Sequence, residues 1–149
     1  FRPPNDVFCS VPPGVGANLD VSVQTRGGLR STPNTLFSYE KPTISSISPA
    51  RLYSGVLSTY NVTAIGTGFG NSQEDITAFS IGARVCPSFE WVSPNQVICK
   101  DVTPPWSTKM VDVVVGGQSS ASNELVQVIP TPTIVALDPD STSVVGGYV

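Results

Sequence analysis

The sequence repeats itself, and the length of this repeat constrains the fold more than any other feature. The stretch Pro42-Thr-Ile-Ser-Ser-Ile-Ser-Pro49 returns, with changes, as Pro132-Thr-Ile-Val-Ala-Leu-Asp-Pro139, 90 positions later. A second match places residues 1–9 over residues 91–99, again 90 positions apart. Self-similarity at a fixed, domain-sized period indicates domains arranged in tandem.

The repeat divides the 149 residues into three predicted segments. Residues 1–41 are the C-terminal half of one repeat, residues 42–129 are a complete repeat, and residues 130–149 are the N-terminal start of another. A further match aligns Asp20-Val-Ser-Val23 with Asp112-Val-Val-Val115 at a spacing of 92. Because the spacing varies slightly, we expect the insertions to lie in loops.

Apolar residues alternate with polar ones over short distances, which is the pattern of a half-buried β-strand. The 14 prolines and 13 glycines are spread over the whole length, and no window carries an apolar stripe at helical spacing. The segment 71–78 offers one helical turn at most. The sequence therefore predicts an all-β protein of short strands and tight turns. Strands are expected at 7–9, 19–23, 36–39, 60–65, 79–86, 89–92, 97–99, 111–115 and 125–129.

Charge and composition exclude several functions. The net charge is −3 and the eight Lys and Arg residues are scattered singly, so no basic stripe exists that could bind nucleic acid. The longest aliphatic run, residues 113–115, is too short to span a bilayer. The absence of histidine excludes Ser-His-Asp and Cys-His catalysis. A carboxylate pair for glycoside hydrolysis stays open from spacing alone, but we predict no catalytic residue, cofactor or metal site.

The order of several motifs resembles the IPT/TIG domain family. The resemblance implies an immunoglobulin-like β-sandwich, repeated in tandem, as in plexins, growth-factor receptors and microbial or protist surface proteins. It also implies a non-catalytic module. The motifs that carry it are Pro42 to Pro49, Gly66-Thr-Gly-Phe69, Val85-Cys86, Val97-Ile-Cys99, Pro104-Pro105 and Val111-Asp-Val-Val-Val-Gly-Gly117.

The three cysteines gain meaning from this resemblance. It implies a disulfide between Cys86 and Cys99, whereas a metal site would need further ligands. Cys9 occupies the position of Cys99 in the preceding repeat, so we expect its partner upstream, outside the printed sequence. Cys9 is then either separated from its partner by truncation or bonded to another chain.

Two further positions are candidate sites. Asn61-Val-Thr63 is an N-glycosylation sequon. If Val62 faces the core, Asn61 faces solvent, and we predict a glycan there; an ordinary strand asparagine is the alternative. Trp106 follows two prolines, and we consider it a contact residue for a neighbouring domain, a partner chain or a sugar, with local packing as the alternative. For Trp91, packing in the core or at the domain end is the expectation.

Three motifs are interpreted as structural. The glycines of residues 66–70 lack the lysine and helix of a phosphate loop. We expect them to permit a bend that places Phe69 in the core. Asp138 with Asp140, and Glu74 with Asp75, could bind calcium through paired carboxylates, but solvated turns are the favoured interpretation.

We predict a non-catalytic extracellular or cell-surface protein, structural or adhesive, whose tandem domains form a stiff glycosylated rod or filament. Its expected partner is itself, as a long tandem array or a head-to-tail polymer. The two partial repeats together are shorter than one full repeat, which argues against the polymer. The alternatives are the ectodomain stalk of a plexin-like receptor that binds a protein ligand, and a carbohydrate-associated accessory module of a secreted enzyme.

Overall fold

The computed structural model describes residues 7–55, 59–104, 107–120 and 122–136. Strands dominate these residues, and the helical structure among them is the 3₁₀ turn Gln73–Asp75. The all-β prediction is therefore confirmed. The strands are β1 Leu19–Val21, β2 Asn34–Phe37, β3 Thr43–Ser48, β4 Arg51–Tyr53, β5 Tyr60–Thr67, β6 Ile76–Ile81, β7 Arg84–Val85, β8 Ser88–Ser93, β9 Gln96–Val102, β10 Lys109–Val115, β11 Gln118–Ser119 and β12 Leu125–Ile129.

Two sheets make up a sandwich. The first has the strand order β3-β5-β9-β8 and is antiparallel throughout. The second has the order β4-β12-β10-β6-β7, with β11 paired to β10. Its pairs are antiparallel except for β12 with β4, which run parallel. The hairpin β1–β2 forms a separate two-stranded sheet before the sandwich.

Alternating burial explains how these strands form one core. On β5, Val62 and Ala64 are fully buried, while Asn61 and Ile65 are exposed. Strand β10 contributes Val113 from the opposite sheet in the same manner. Apolar inward faces from both sheets therefore meet in a single cluster that contains no buried polar residue among those described.

Strand β3 carries a bulge that sequence periodicity cannot show. Ile44 and Ile47 are three residues apart, so a regular strand would place them on opposite faces. The pairing with β5 shifts between Ile44 and Ser46, which adds one residue to β3 and turns both isoleucines inward. Both side chains are buried as a result.

Two of the predicted strands differ from the structure. The strand predicted at 79–86 is broken at Gly82, whose φ of +62° begins a turn between β6 and β7. The strand predicted at 7–9 is absent, and Val7 is 72% exposed. The matching residues 97–99 lie in β9, where β5 and β8 flank them on both sides. Strand structure at 7–9 would need similar neighbours, which the described residues do not supply.

Candidate functional site

The segment that precedes the sandwich is docked onto it rather than loosely tethered. Val15 is half-buried and packs against the sandwich core, and Gly16 beside it is buried. On the sandwich side lies Gly116, in the turn after β10, with a φ of +54°. A Cβ placed on Gly116 would lie 2.6 Å from the backbone nitrogen of Gly16. The approach therefore requires glycine at 116, while Gly16 is favoured by its φ of +107°.

Tyr39 fixes the docked segment through three hydrogen bonds. Its hydroxyl donates to the carbonyl of Pro12 at 2.8 Å, and its backbone N–H donates to the carbonyl of Gly16 at 2.9 Å. Its own carbonyl accepts from the side-chain amide of Gln118 at 3.3 Å. Tyr39 thereby links residues 12–16 to the start of β11. We call this set of contacts the junction.

A cleft of about 320 Å³ lies at the junction. Proline, glycine and valine residues make up most of its lining, and the carboxylate among the described lining residues belongs to Glu40. Acid–base hydrolysis of a glycoside uses a second carboxylate across the scissile bond, which this lining does not offer. The lining residues are Pro13, Gly14, Val15, Tyr39, Glu40, Pro42, Gly68, Gly70, Asn71, Pro94, Val115 and Gln118.

The glycine-rich bend at 66–70 is held by the turn at 94–95. The N–H of Gly66 donates to the carbonyl of Asn95 at 2.9 Å, and the side-chain amide of Asn95 donates back to the carbonyl of Gly66 at 2.8 Å. The N–H of Phe69 donates to the carbonyl of Pro94 at 3.0 Å. Since these backbone groups are already paired and Phe69 is fully buried, the structure matches the bend interpretation.

The two tryptophans were assigned different roles from sequence. Trp91 is partly buried against the core, and its indole N–H donates to the carbonyl of Phe69 at 2.9 Å, so its packing role is seen in the structure. Trp106, the predicted contact residue, lies outside the described residues, as do Asp138 and Asp140.

Cys86 and Cys99 form a disulfide with a Cα–Cα distance of 5.8 Å. Cys86 follows β7 of one sheet and Cys99 lies on β9 of the other, so the bond ties the two sheets together. Both residues are buried, at 8% and 0% exposure. Cys9, the matching cysteine of the preceding half-repeat, is an exposed free thiol.

The sequon residue Asn61 lies on the outer face of β5. It is exposed, while Val62 points into the core. Its side-chain oxygen accepts from the N–H of Asp101 at 3.4 Å, across a bulge of β9. Glycosylation itself stays a prediction.

The paired acids at 74–75 serve the local turn. The Asp75 carboxylate accepts from the N–H of Asn71 at 2.7 Å and from that of Ser72 at 3.2 Å, which closes the loop before β6. Within the described part of the chain, no three His, Cys, Asp or Glu side chains come together as metal ligands would. No helix in that part has the length and apolar character to cross a membrane.

The junction is the feature that sequence reasoning missed. The glycines at 14, 16, 116 and 117 were visible as chain breakers, but nothing in their spacing shows that two of them meet. The repeat gives no signal for this contact, because Gly16 and Gly116 are 100 positions apart and a period of about 90 residues does not align them.

Comparison with known families decides the classification. The family model described as IPT/TIG domain matches residues 42–128. The chain belongs to the IPT/TIG domain family. The sandwich described above is therefore immunoglobulin-like, and IPT/TIG domains are non-catalytic modules. The first and last segments lie outside the matched range.

Solved structures of similar fold are distant in sequence. One is a structural genomics protein of unknown function from Bacteroides thetaiotaomicron, with a TM-score of 0.50 and 14% identity over 60% of this chain and 22% of that one. Another is SGBP-B from a complex xyloglucan utilization locus in Bacteroides uniformis, with a TM-score of 0.48 and 16% identity over 78% of this chain and 31% of that one. The IPT/TIG chain thus spans less than a third of each. No curated protein matches the sequence.

Proposed function

We propose that this chain is a non-catalytic, extracellular structural module whose tandem immunoglobulin-like domains are held end to end as a stiff rod. The junction is the observation that carries the proposal. Between Tyr39, which is held by three hydrogen bonds, and Pro42, which is buried, only Glu40 and Lys41 remain. A linker of two residues that is fixed at both ends leaves little freedom for bending.

Packing at the junction adds to this restriction. Val15 contributes apolar area to the core of the sandwich. Complete burial of a valine side chain is worth about 1.5–3 kcal/mol, and the half-buried Val15 gains part of that. Proline at position 42 also fixes its own φ angle. A hinge motion between the first segment and the sandwich would have to remove Val15 from the core and break the hydrogen bond from Gln118 to Tyr39.

The disulfide supports the extracellular assignment. Structural disulfides form and persist in oxidising compartments and are rare in the cytosol. Cys86 and Cys99 are bonded inside the core, where the bond stabilises the sandwich. A rod exposed outside the cell would benefit from that stability.

Backbone ¹⁵N relaxation on the 149-residue chain tests the stiffness. We expect residues 19–37 and residues 60–128 to report one rotational correlation time, with order parameters of about 0.85 in the strands of both. Order parameters below about 0.6 at 19–37, or two separate correlation times, would show a flexible linker and contradict the rod.

A further inference from the structure

The hairpin before the sandwich reproduces two hydrogen bonds that β10 makes with the segment after β11. The N–H of Val23 donates to the Ser31 hydroxyl at 3.0 Å, and the N–H of Ser31 donates to the Val23 carbonyl at 2.9 Å. Val113 and Ser120 make the same two bonds, at 3.1 and 2.9 Å. The two pairs are 90 and 89 positions apart, which is the period of the sequence repeat.

Strand pairing shows the same correspondence. Leu19 pairs with Phe37 on β1 and β2, and Lys109 pairs with Val126 on β10 and β12. These pairs are again 90 and 89 positions apart. Residues 19–37 therefore share the strand pairing of residues 109–126, which lie in the C-terminal half of the complete IPT/TIG sandwich.

The two copies differ in what covers them. Val21 is 50% exposed, whereas its equivalent Val111 is 1% exposed; Val23 is 46% exposed, whereas Val113 is fully buried. In the complete domain, the sheet β3-β5-β9-β8 faces Val111 and Val113 across the core, and β6 pairs with their strand. The strands that cover Val111 and Val113 in the complete domain therefore show what kind of polypeptide would fit over Val21 and Val23.

The cysteines follow the same rule. Val7 is 72% exposed against 0% for Val97, and Cys9 is an exposed thiol against the buried, bonded Cys99. Cys99 is bonded to a cysteine of the first half of its own domain. If the first half of a second domain covers the hairpin, one of its cysteines would lie beside Cys9 as Cys86 lies beside Cys99.

We propose that the exposed side of the hairpin at Val21 and Val23, together with the exposed segment that holds Val7 and Cys9, is the open half of a second IPT/TIG sandwich. Its occupant is the first half of that domain, supplied by the preceding repeat of the same array, with strands equivalent to β3–β8. One of its cysteines forms a disulfide with Cys9. The two thiols release two protons and two electrons to a protein or glutathione disulfide of the secretory pathway, which is reduced to two thiols.

Disulfide mapping and hydrogen exchange on protein purified from its natural source test this inference. Free thiols are blocked with N-ethylmaleimide before digestion without reductant. We expect Cys9 in a disulfide with a peptide that is absent from the printed sequence. We also expect the amides of Val21 and Val23 to exchange at least about 10-fold more slowly there than in the recombinant 149-residue chain, as covered strands do.

Each contrary outcome has a distinct meaning. A blocked, unbonded Cys9 with fast exchange at Val21 and Val23 would show that the face is open in the native protein and would overturn the inference. An unbonded Cys9 with slow exchange would mean that another segment covers the face, such as the start of the repeat at 130–136 from a second copy, and would overturn the proposed occupant. A bond between the Cys9 residues of two chains would overturn it as well.

Discussion

The indole nitrogen of Trp91 lies 2.9 Å from the carbonyl oxygen of Phe69 and donates a hydrogen bond to it. One residue comes from β8 and the other from the glycine-rich bend after β5, so the bond joins the bend to the edge of the first sheet. Phe69 is fully buried, and its carbonyl has few alternatives for pairing. The bend is therefore held from two sides, by Trp91 and by the turn at 94–95.

Substitution Trp91→Phe should lower the free energy of unfolding by about 1–2 kcal/mol. Phenylalanine keeps most of the apolar contact but leaves the Phe69 carbonyl without its donor, and a buried unsatisfied acceptor costs about that much. Urea denaturation followed by circular dichroism measures the change. Val92→Thr on the exposed side of the same strand is the control and should stay within about 0.5 kcal/mol. Equal effects from the two variants would contradict the role of the bond.

The double substitution Cys86→Ala with Cys99→Ala should destabilise the sandwich by about 3 kcal/mol. The bond closes a loop with a sequence separation of 13, and the chain-entropy estimate for a loop of this size is about 3 kcal/mol. Guanidinium titration of the variant and of the parent chain gives the difference. Cys9→Ser is the matched control, since Cys9 is a free, exposed thiol in this chain. No difference between the double variant and the control would mean that the bond contributes nothing.

Gly116→Ala should release the docked segment, whereas Gly117→Ala should not. Both glycines have positive φ, +54° and +78°, so both substitutions carry backbone strain of about 1–2 kcal/mol. A Cβ on Gly116 meets the backbone of Gly16, whereas one on Gly117 meets nothing within 4 Å. We expect order parameters at 19–37 to fall below about 0.6 in the first variant only. If both variants lose order at 19–37, the cause is backbone strain and not the contact between positions 116 and 16.

The fold class was predictable because alternation and turn residues are local signals. The inward valines of β10 and the burial of Phe69 follow directly from their sequence context. The bulge in β3 was not predictable, since one extra residue in a strand leaves no trace in the spacing of Ile44 and Ile47. The junction depends on contacts between residues 100 positions apart, and a single sequence gives no contact information at that range.

The sequence shows that a repeat exists, but it does not determine which residues of the two copies are structurally equivalent. Matching Asp20-Val-Ser-Val23 to Asp112-Val-Val-Val115 gives a spacing of 92. The hydrogen bonds place Val23 with Val113, at a spacing of 90. A match of residue types favours the spacing of 92 because it aligns aspartate with aspartate. The structural register is set instead by the backbone N–H that donates to a serine hydroxyl, which is that of Val23 in one copy and of Val113 in the other.

Val111→Thr and Val21→Thr should have unequal effects in the 149-residue chain. Val111 is buried in the core, and a threonine hydroxyl without a partner there costs about 1–3 kcal/mol. Val21, its equivalent in the half-repeat, is 50% exposed and should change stability by less than about 0.5 kcal/mol. Thermal unfolding of both variants makes the comparison. A large effect at Val21 would show that its face is already covered within this chain.

Asn61 should carry an N-linked glycan when the chain passes through a eukaryotic secretory pathway. Its side chain is on the outer face of β5, with Val62 facing inward, so a sugar can be attached without disturbing the core. We expect intact mass spectrometry to show a glycan that an amidase removes and that is missing in Asn61→Gln. Thr63→Ala should also lose it because the sequon requires a hydroxyl at that position, while Thr63→Ser should keep it. A glycan that persists in Thr63→Ala would lie elsewhere in the chain, and an unmodified parent chain would mean that Asn61 is an ordinary strand residue.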